Sequence, residues 1–252
     1  MKKLILLLIL AVSNMPASSQ EMNEEEMKLV SRFISYVKKQ QKDQVANIVS
    51  YPLRREYPLP EIKSKNEFLK RYNELFDAAL VKAISNSEPG KDWSTVGWRG
   101  IMLSNGTVWL DYDGKLIAVN NQSETETKKR VQLIAKEKKT LHPSLRTFAA
   151  PVVMLETSKY RIRVDDMGNG NYRYASWPAK RKMSSKPDLV IDKGEFIPDG
   201  SGGNYKYQFV NGAYTYDCEI IIMGEKDTPP AMLIVSQNGK QILSQKAKIV
   251  KP

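Results

Sequence analysis

The chain has 252 residues, with 39 Lys and Arg against 28 Asp and Glu, a formal net charge of +11, one His and one Cys. A single Cys excludes an intramolecular disulfide, and one His with one Cys excludes a zinc site built from those residue types, which needs three or four ligands. Lys and Arg alternate with Glu and Asp instead of clustering, so specific nucleic-acid binding is not expected; the charge is compatible with loose attraction to anionic lipids or polysaccharides.

Residues 1–19 read as a secretory leader. Lys2 and Lys3 precede the apolar run Leu4–Val12, and Ala17 and Ser19 stand at the small-residue positions of a cleavage site, so cleavage is expected after Ser19. The run of nine residues spans less than half of a hydrocarbon core of roughly 30 Å, which argues against a transmembrane anchor. Removing 19 of the 252 residues leaves 233, enough for two domains of ordinary size.

Helical signals come first. Asn23 and Glu26 resemble a capping box, and Met27, Val30, Ile34 and Val37 recur on one helical face to about Gln41. Asp43 is positioned to cap a short second helix, after which Pro52, Pro58 and Pro60 force extended chain and turns. Ser64 and Glu67 open a third helix, expected to run to about Asn86 with Phe68, Tyr72, Leu75, Phe76, Leu80 and Ala83 on one face. The period then changes: Val96–Leu103, Thr107–Tyr112 and Lys115–Asn120 read as strands joined at Asn105-Gly106 and Asp113-Gly114, an antiparallel meander. Ser123 and Glu126 start a charged helix with Val131, Ile134 and Leu141 as its apolar stripe, read as a connector. Beyond it, seven segments alternate with period two: Tyr160–Val164, Tyr172–Trp177, Leu189–Ile191, Tyr205–Val210, Tyr214–Met223, Met232–Val235 and Gln241–Val250.

The expected fold class is therefore α+β: an N-terminal helix-plus-antiparallel-sheet domain over 20–121, a helical connector over 122–144, and a C-terminal all-β sandwich or small barrel over 145–252. Across residues 24–120, the element order and the run Val96–Leu110 (VGWRGIMLSNGTVWL) resemble the nuclear-transport-factor-2-like fold. The resemblance implies a cone-shaped domain with a pocket at its mouth. It does not imply one activity, since that fold hosts enzymes, ligand binders and interaction domains.

Several constellations carry candidate chemistry. Arg99, beside Trp98 on an expected strand, and Asp111, beside Trp109 on the next, are either polar groups set in an apolar cleft, a structural ion pair, or solvent-facing residues. Tyr51–Tyr57 is an aromatic and basic loop in which Tyr51 and Arg54 are candidate recognition groups; equally, Tyr51 pins the loop to the core. His142, just before Pro143, reads as a helix-end group, and Cys218 as a small buried hydrophobe. Asp165–Asn171 lacks the Glu of a calcium loop, and Gly200–Gly203 lacks the Lys-Ser/Thr of a phosphate loop. Tyr205/Tyr207 and Tyr214/Tyr216 flank one hairpin at period two, as barrel core or as an exposed platform for sugar or peptide.

No catalytic residue, metal site or cofactor is expected from these patterns. The expectation is a non-catalytic, exported, periplasmic or extracellular protein that binds an envelope protein, a glycan or a small anionic ligand; the alternative is an enzyme working in the cone through Asp111, Arg99 and a Tyr. Intact mass of the exported protein checks the leader. The expected chain begins at Gln20, and a mass that retains residues 1–19 contradicts the reading.

Overall fold

The computed structural model describes residues 21–200 and 203–250. The leader therefore lies outside the described residues, as do Ser201 and Gly202 of the Gly200–Gly203 turn. The chain is α+β and forms two units: residues up to Arg54 together with Ile62–Ser123, and Arg55–Glu61 together with Glu124 onward.

In the first unit, α1 (Glu24–Lys38) starts at a complete capping box, with Asn23 accepting from the Glu26 amide and Glu26 accepting from the Asn23 amide, both at 2.9 Å. Next come α2 (Lys42–Ile48), α3 (Lys65–Leu75) and α4 (Ala78–Ser85). The single long helix expected from Ser64 is two, because Asp77 caps a new one by accepting from the Leu80 amide at 2.8 Å. A four-stranded antiparallel meander follows: β1 (Trp93–Thr95), β2 (Ile101–Leu103), β3 (Val108–Leu110) and β4 (Leu116–Val119). The strand expected over Val96–Leu103 is interrupted by a 3-10 turn at Gly97–Arg99. Gly97 and Gly100 hold φ of 46° and 103°, and a Cβ on Gly100 would lie 2.3 Å from the Leu110 carbonyl oxygen, so a regular strand cannot pass through. Apolar faces of α1, α3, α4 and the sheet close on Phe33, Phe68, Leu75, Ile84, Trp93, Ile101 and Leu110, all essentially inaccessible.

The second unit contains α5 (Glu124–Thr140), a 3-10 turn at Pro143–Leu145, and eight strands: β5 (Ala150–Glu156), β6 (Tyr160–Asp166), β7 (Tyr172–Pro178), β8 (Leu189–Asp199), β9 (Asn204–Asn211), β10 (Tyr214–Ile220), β11 (Ala231–Gln237) and β12 (Lys240–Val250). Each strand pairs antiparallel with the next, and β12 returns to β5 through Lys248–Val250, which closes the sheet. The β half is thus a barrel, not a sandwich, and it has one strand more than the seven expected. β5 is unmarked in sequence because it carries Pro151 at a register shift and does not alternate: Val153 and Leu155 face inward, while Met154 is buried on the outer side. Outward positions of β9, β10 and β12 carry Lys206, Gln208, Asp217, Glu219, Lys246 and Lys248, and Asp217 accepts from Lys206 and Gln208 at 2.9 Å each. No helix of the described residues is long and apolar enough to cross a membrane.

One outer wall is different. Arg163 and Asp165 of β6 and Arg173 of β7 point outward yet are buried beneath α5 and residues 141–149. Asp165 lies 2.6 Å from Arg163 and 2.7 Å from Arg173. Arg163 also pairs with Glu137 of α5, and Arg173 donates to the Leu145 and Thr147 carbonyls at 2.7 and 3.0 Å. The Tyr57 hydroxyl donates to Glu137 at 3.1 Å, and Arg55 pairs with a fully buried Glu126. These long-range partners revise the reading of α5: Ile134 and Leu141 of the expected stripe are buried, but Glu126 and Glu137 are buried too, and Val131 is 61% exposed.

Replacing Asp165 by Asn takes the shared carboxylate from two buried guanidiniums and leaves Arg163 with Glu137 alone and Arg173 with the Leu145 and Thr147 carbonyls. Urea unfolding should show about 3–5 kcal/mol lost; a loss below about 1 kcal/mol would mean that water already serves these charges.

Candidate functional site

Period two places Tyr172, Tyr174 and Ser176 of β7, Tyr205, Tyr207 and Phe209 of β9, Tyr214, Tyr216, Cys218 and Ile220 of β10, and Leu233 and Val235 of β11 on the inner face, as their cross-strand pairing shows. Eight strands enclose an interior wide enough for side chains alone or for one small ligand. The two ends of this barrel differ. At the end carrying the turns after β6 and β8, a chain of rings from buried Tyr207 through half-buried Tyr172 and Tyr205 to exposed Phe196 closes the mouth, with neighbouring ring centroids 4.7–5.8 Å apart. Phe209 continues the filling inward. Its ring occupies the space over Gly194, where a Cβ would come within 2.1 Å of it, and that contact fixes glycine at the position.

At the other end, among the 156–160, 178–189, 211–214 and 237–240 connections, the interior opens as a cup of about 290 Å³. Its floor is the pair Tyr174 and Tyr216, from strands on opposing walls, with centroids 5.6 Å apart. Leu189, Leu233, Val235 and Leu243 form the wall; Tyr160, Trp177, Tyr214 and Ile242 border the rim. The Tyr174 phenol is 2% exposed, and burial pushes its pKa well up; the Ser176 hydroxyl bonded to it acts in the opposite sense and is outweighed. Burial raises the Tyr216 phenol as well, so both floor hydroxyls stay neutral at ordinary pH. Trp177 fixes the rim: its indole donates to the Ser185 carbonyl at 2.9 Å, and the His142 amide donates to the Met183 carbonyl at 3.1 Å, so the long connection 178–189 is held in place.

The residues singled out from sequence lie elsewhere. Trp98 is 60% exposed, and Arg99 sits on the 3-10 turn, exposed, with its guanidinium carbon 5.7 Å from the Trp98 ring. It does not share the face of Ile101 and Leu103, because the turn takes it off the strand. Asp111 is half-buried and accepts from the Asp113 and Lys115 amides at 3.0 and 2.8 Å, which closes its own turn. Trp109 donates to the Gly106 carbonyl at 3.0 Å. Tyr51 donates to the Ala46 carbonyl at 3.0 Å and packs on Phe68, with burial raising its pKa to about 12; Arg54 is exposed. These six residues therefore do not converge on one cleft. His142 accepts from the Ser144 amide at the start of the 3-10 turn, and Cys218 is fully buried inside the barrel. Among the described residues no group of three His, Cys, Asp or Glu is placed to hold a metal. The cup residues outside the tyrosine hairpin, Ser176, Leu189, Leu233 and Leu243, had only their period-two spacing to mark them.

No protein-family model, curated protein or solved structure matches the chain.

On this geometry Arg99→Met should change stability by no more than about 0.5 kcal/mol, as at an ordinary exposed position. A thermal-unfolding loss several times larger would place Arg99 in a buried pair after all.

Proposed function

We propose that the chain is an exported two-domain protein of the cell envelope that binds a small apolar molecule in the open end of its barrel without transforming it. The observation that carries this reading is the cup itself. It is a preformed concavity of about 290 Å³, near the lower end of small-molecule sites at roughly 300–1,000 Å³, walled by aliphatic and aromatic side chains with a few polar groups at fixed places. Its polar groups are phenols and a serine hydroxyl, which orient a ligand by hydrogen bonds. The carboxylic residue next to Ser176 is Asp188, whose amide donates to the Ser176 carbonyl at 2.9 Å, and its carboxylate is engaged with Arg181 at 2.5 Å instead of serving as a base for the hydroxyl. The enzyme alternative required Arg99 and Asp111 to meet inside the first unit. Arg99 exposed on its 3-10 turn, Asp111 accepting from the amides of its own turn, and an interior there filled by Phe33, Phe68, Trp93 and Leu110 favour a role for that unit in holding a partner. Exposed Trp98 and Tyr112 are the side chains best suited to such a contact.

The test is titration with N-phenyl-1-naphthylamine, an uncharged dye that fluoresces in apolar surroundings. Wild type should bind it, and Leu243→Trp, which fills the cup from a half-buried wall position, should raise Kd at least tenfold while still unfolding cooperatively. Equal binding by the two proteins would remove the cup as the site.

A further inference from the structure

The lining of the cup also limits the charge of what it takes, an inference that rests on the cup being a ligand site. A carboxylate or ammonium moved out of water into an apolar enclosure needs a partner of opposite charge there, or it stays in water. Among the described residues that line the cup there is no Lys, Arg or His. Two guanidiniums beside the residues of the rim, Arg161 next to Tyr160 and Arg181 of the 178–189 connection, are already engaged. Arg161 lies on the outer face of β6, 3.6 Å from Glu156, and donates to the Arg181 carbonyl at 3.2 Å; Arg181 itself holds Asp188 at 2.5 Å. An anionic ligand therefore finds hydroxyl donors at the floor and no cation in the lining, while Lys159, Lys180, Lys182, Lys186 and Lys240 of the surrounding connections are exposed to water.

A cationic ligand finds aromatic rings, which attract cations when several faces surround one centre within about 6 Å. The floor does not offer that space. Tyr174 and Tyr216 pack tilted against each other with centroids 5.6 Å apart, and Tyr174 packs on Phe209 at 5.4 Å behind them, so the rings fill one another's faces as a base and are not opened as a cage. The remaining wall is Leu189, Leu233, Val235 and Leu243, and the carboxylate in the lining, Asp188, is paired with Arg181.

We infer that the cup selects uncharged ligands: an apolar chain or ring bearing one hydroxyl or carbonyl, with the polar atom seated on the tyrosine floor and the apolar body against the leucine and valine wall. The neutral phenols can donate to a carbonyl or accept from a hydroxyl, so a single neutral polar atom satisfies them, whereas a purely apolar molecule leaves them bare.

The experiment displaces the bound naphthylamine dye from the full protein with three molecules of the same chain length: 1-decanol, decanoate and decyltrimethylammonium, at neutral pH and below their micellar concentrations. Decanol should displace the dye at a concentration at least tenfold lower than either charged relative, and Tyr216→Phe should weaken decanol severalfold. Displacement by decanoate or by the ammonium at the same or lower concentration than decanol overturns the inference while leaving the cup as the site. Failure of all three to displace a dye that Leu243→Trp excludes does so as well. If the dye binds wild type and Leu243→Trp alike, it is the earlier reading of the cup that fails.

Discussion

Asp165 is a carboxylate with no exposure to solvent, held between Arg163 and Arg173 on the outside of a barrel wall. Charges placed there persist only as a set, since removal of one strands the rest in a medium that solvates them poorly. The set reaches further than the wall. Glu137 joins it from α5 and Tyr57 from the segment 55–61, while Phe148 lies 4.9 Å and 5.9 Å from the two guanidinium carbons. The same cover, through Ile134, Leu141, Leu145 and Phe148, buries Trp177. Trp177 in turn anchors the 178–189 connection that borders the cup. The cup thus inherits its shape from an ionic cluster on the opposite side of the strand.

Inside the barrel a different constraint operates. An eight-stranded barrel is narrow, and aromatic rings are large enough to close it from one wall to the other. Phe196, Tyr205, Tyr207 and Tyr172 do so at one end, and Tyr174, Phe209 and Tyr216 do so near the middle. Aliphatic side chains of smaller reach, Leu233, Val235 and Leu243, leave the other end open. The cup results from how ring size is distributed along the barrel axis, with Gly194 providing the one gap that lets Phe209 lie flat.

Signals that act over a few residues were legible in the sequence. The capping box at Asn23 and Glu26, the meander after Asn86, and the period-two strands rich in tyrosine all reflect local chemistry, and the structure carries each. Signals that depend on distant partners were not. Glu126 and Glu137 look like ordinary solvated charges on a lysine-rich helix, and only Arg55 and Arg163, 71 and 26 residues away, make them buried. β5 lacks alternation because its outer side is covered too, and without β5 nothing distinguishes a closed barrel from a sandwich. The candidate site suffers most from this. Its residues come from β6, β7, β8, β10, β11 and β12 and meet only when β12 returns to β5, so the tyrosines could be read as core or as a platform, but not as the floor of a cup. Arg99 and Asp111 drew attention through their tryptophan neighbours, but Arg99 sits exposed on a 3-10 turn and Asp111 accepts from the amides of its own turn.

A crystal structure of the purified protein grown with the uncharged naphthylamine dye addresses the central claim most directly. The account predicts density for the dye in the barrel end, resting on Tyr174 and Tyr216 and flanked by Leu233 and Leu243, with Asp165 still clasped by its two arginines. Density for the dye on another surface, such as the exposed Trp98 and Tyr112, with the barrel end unoccupied, would contradict it.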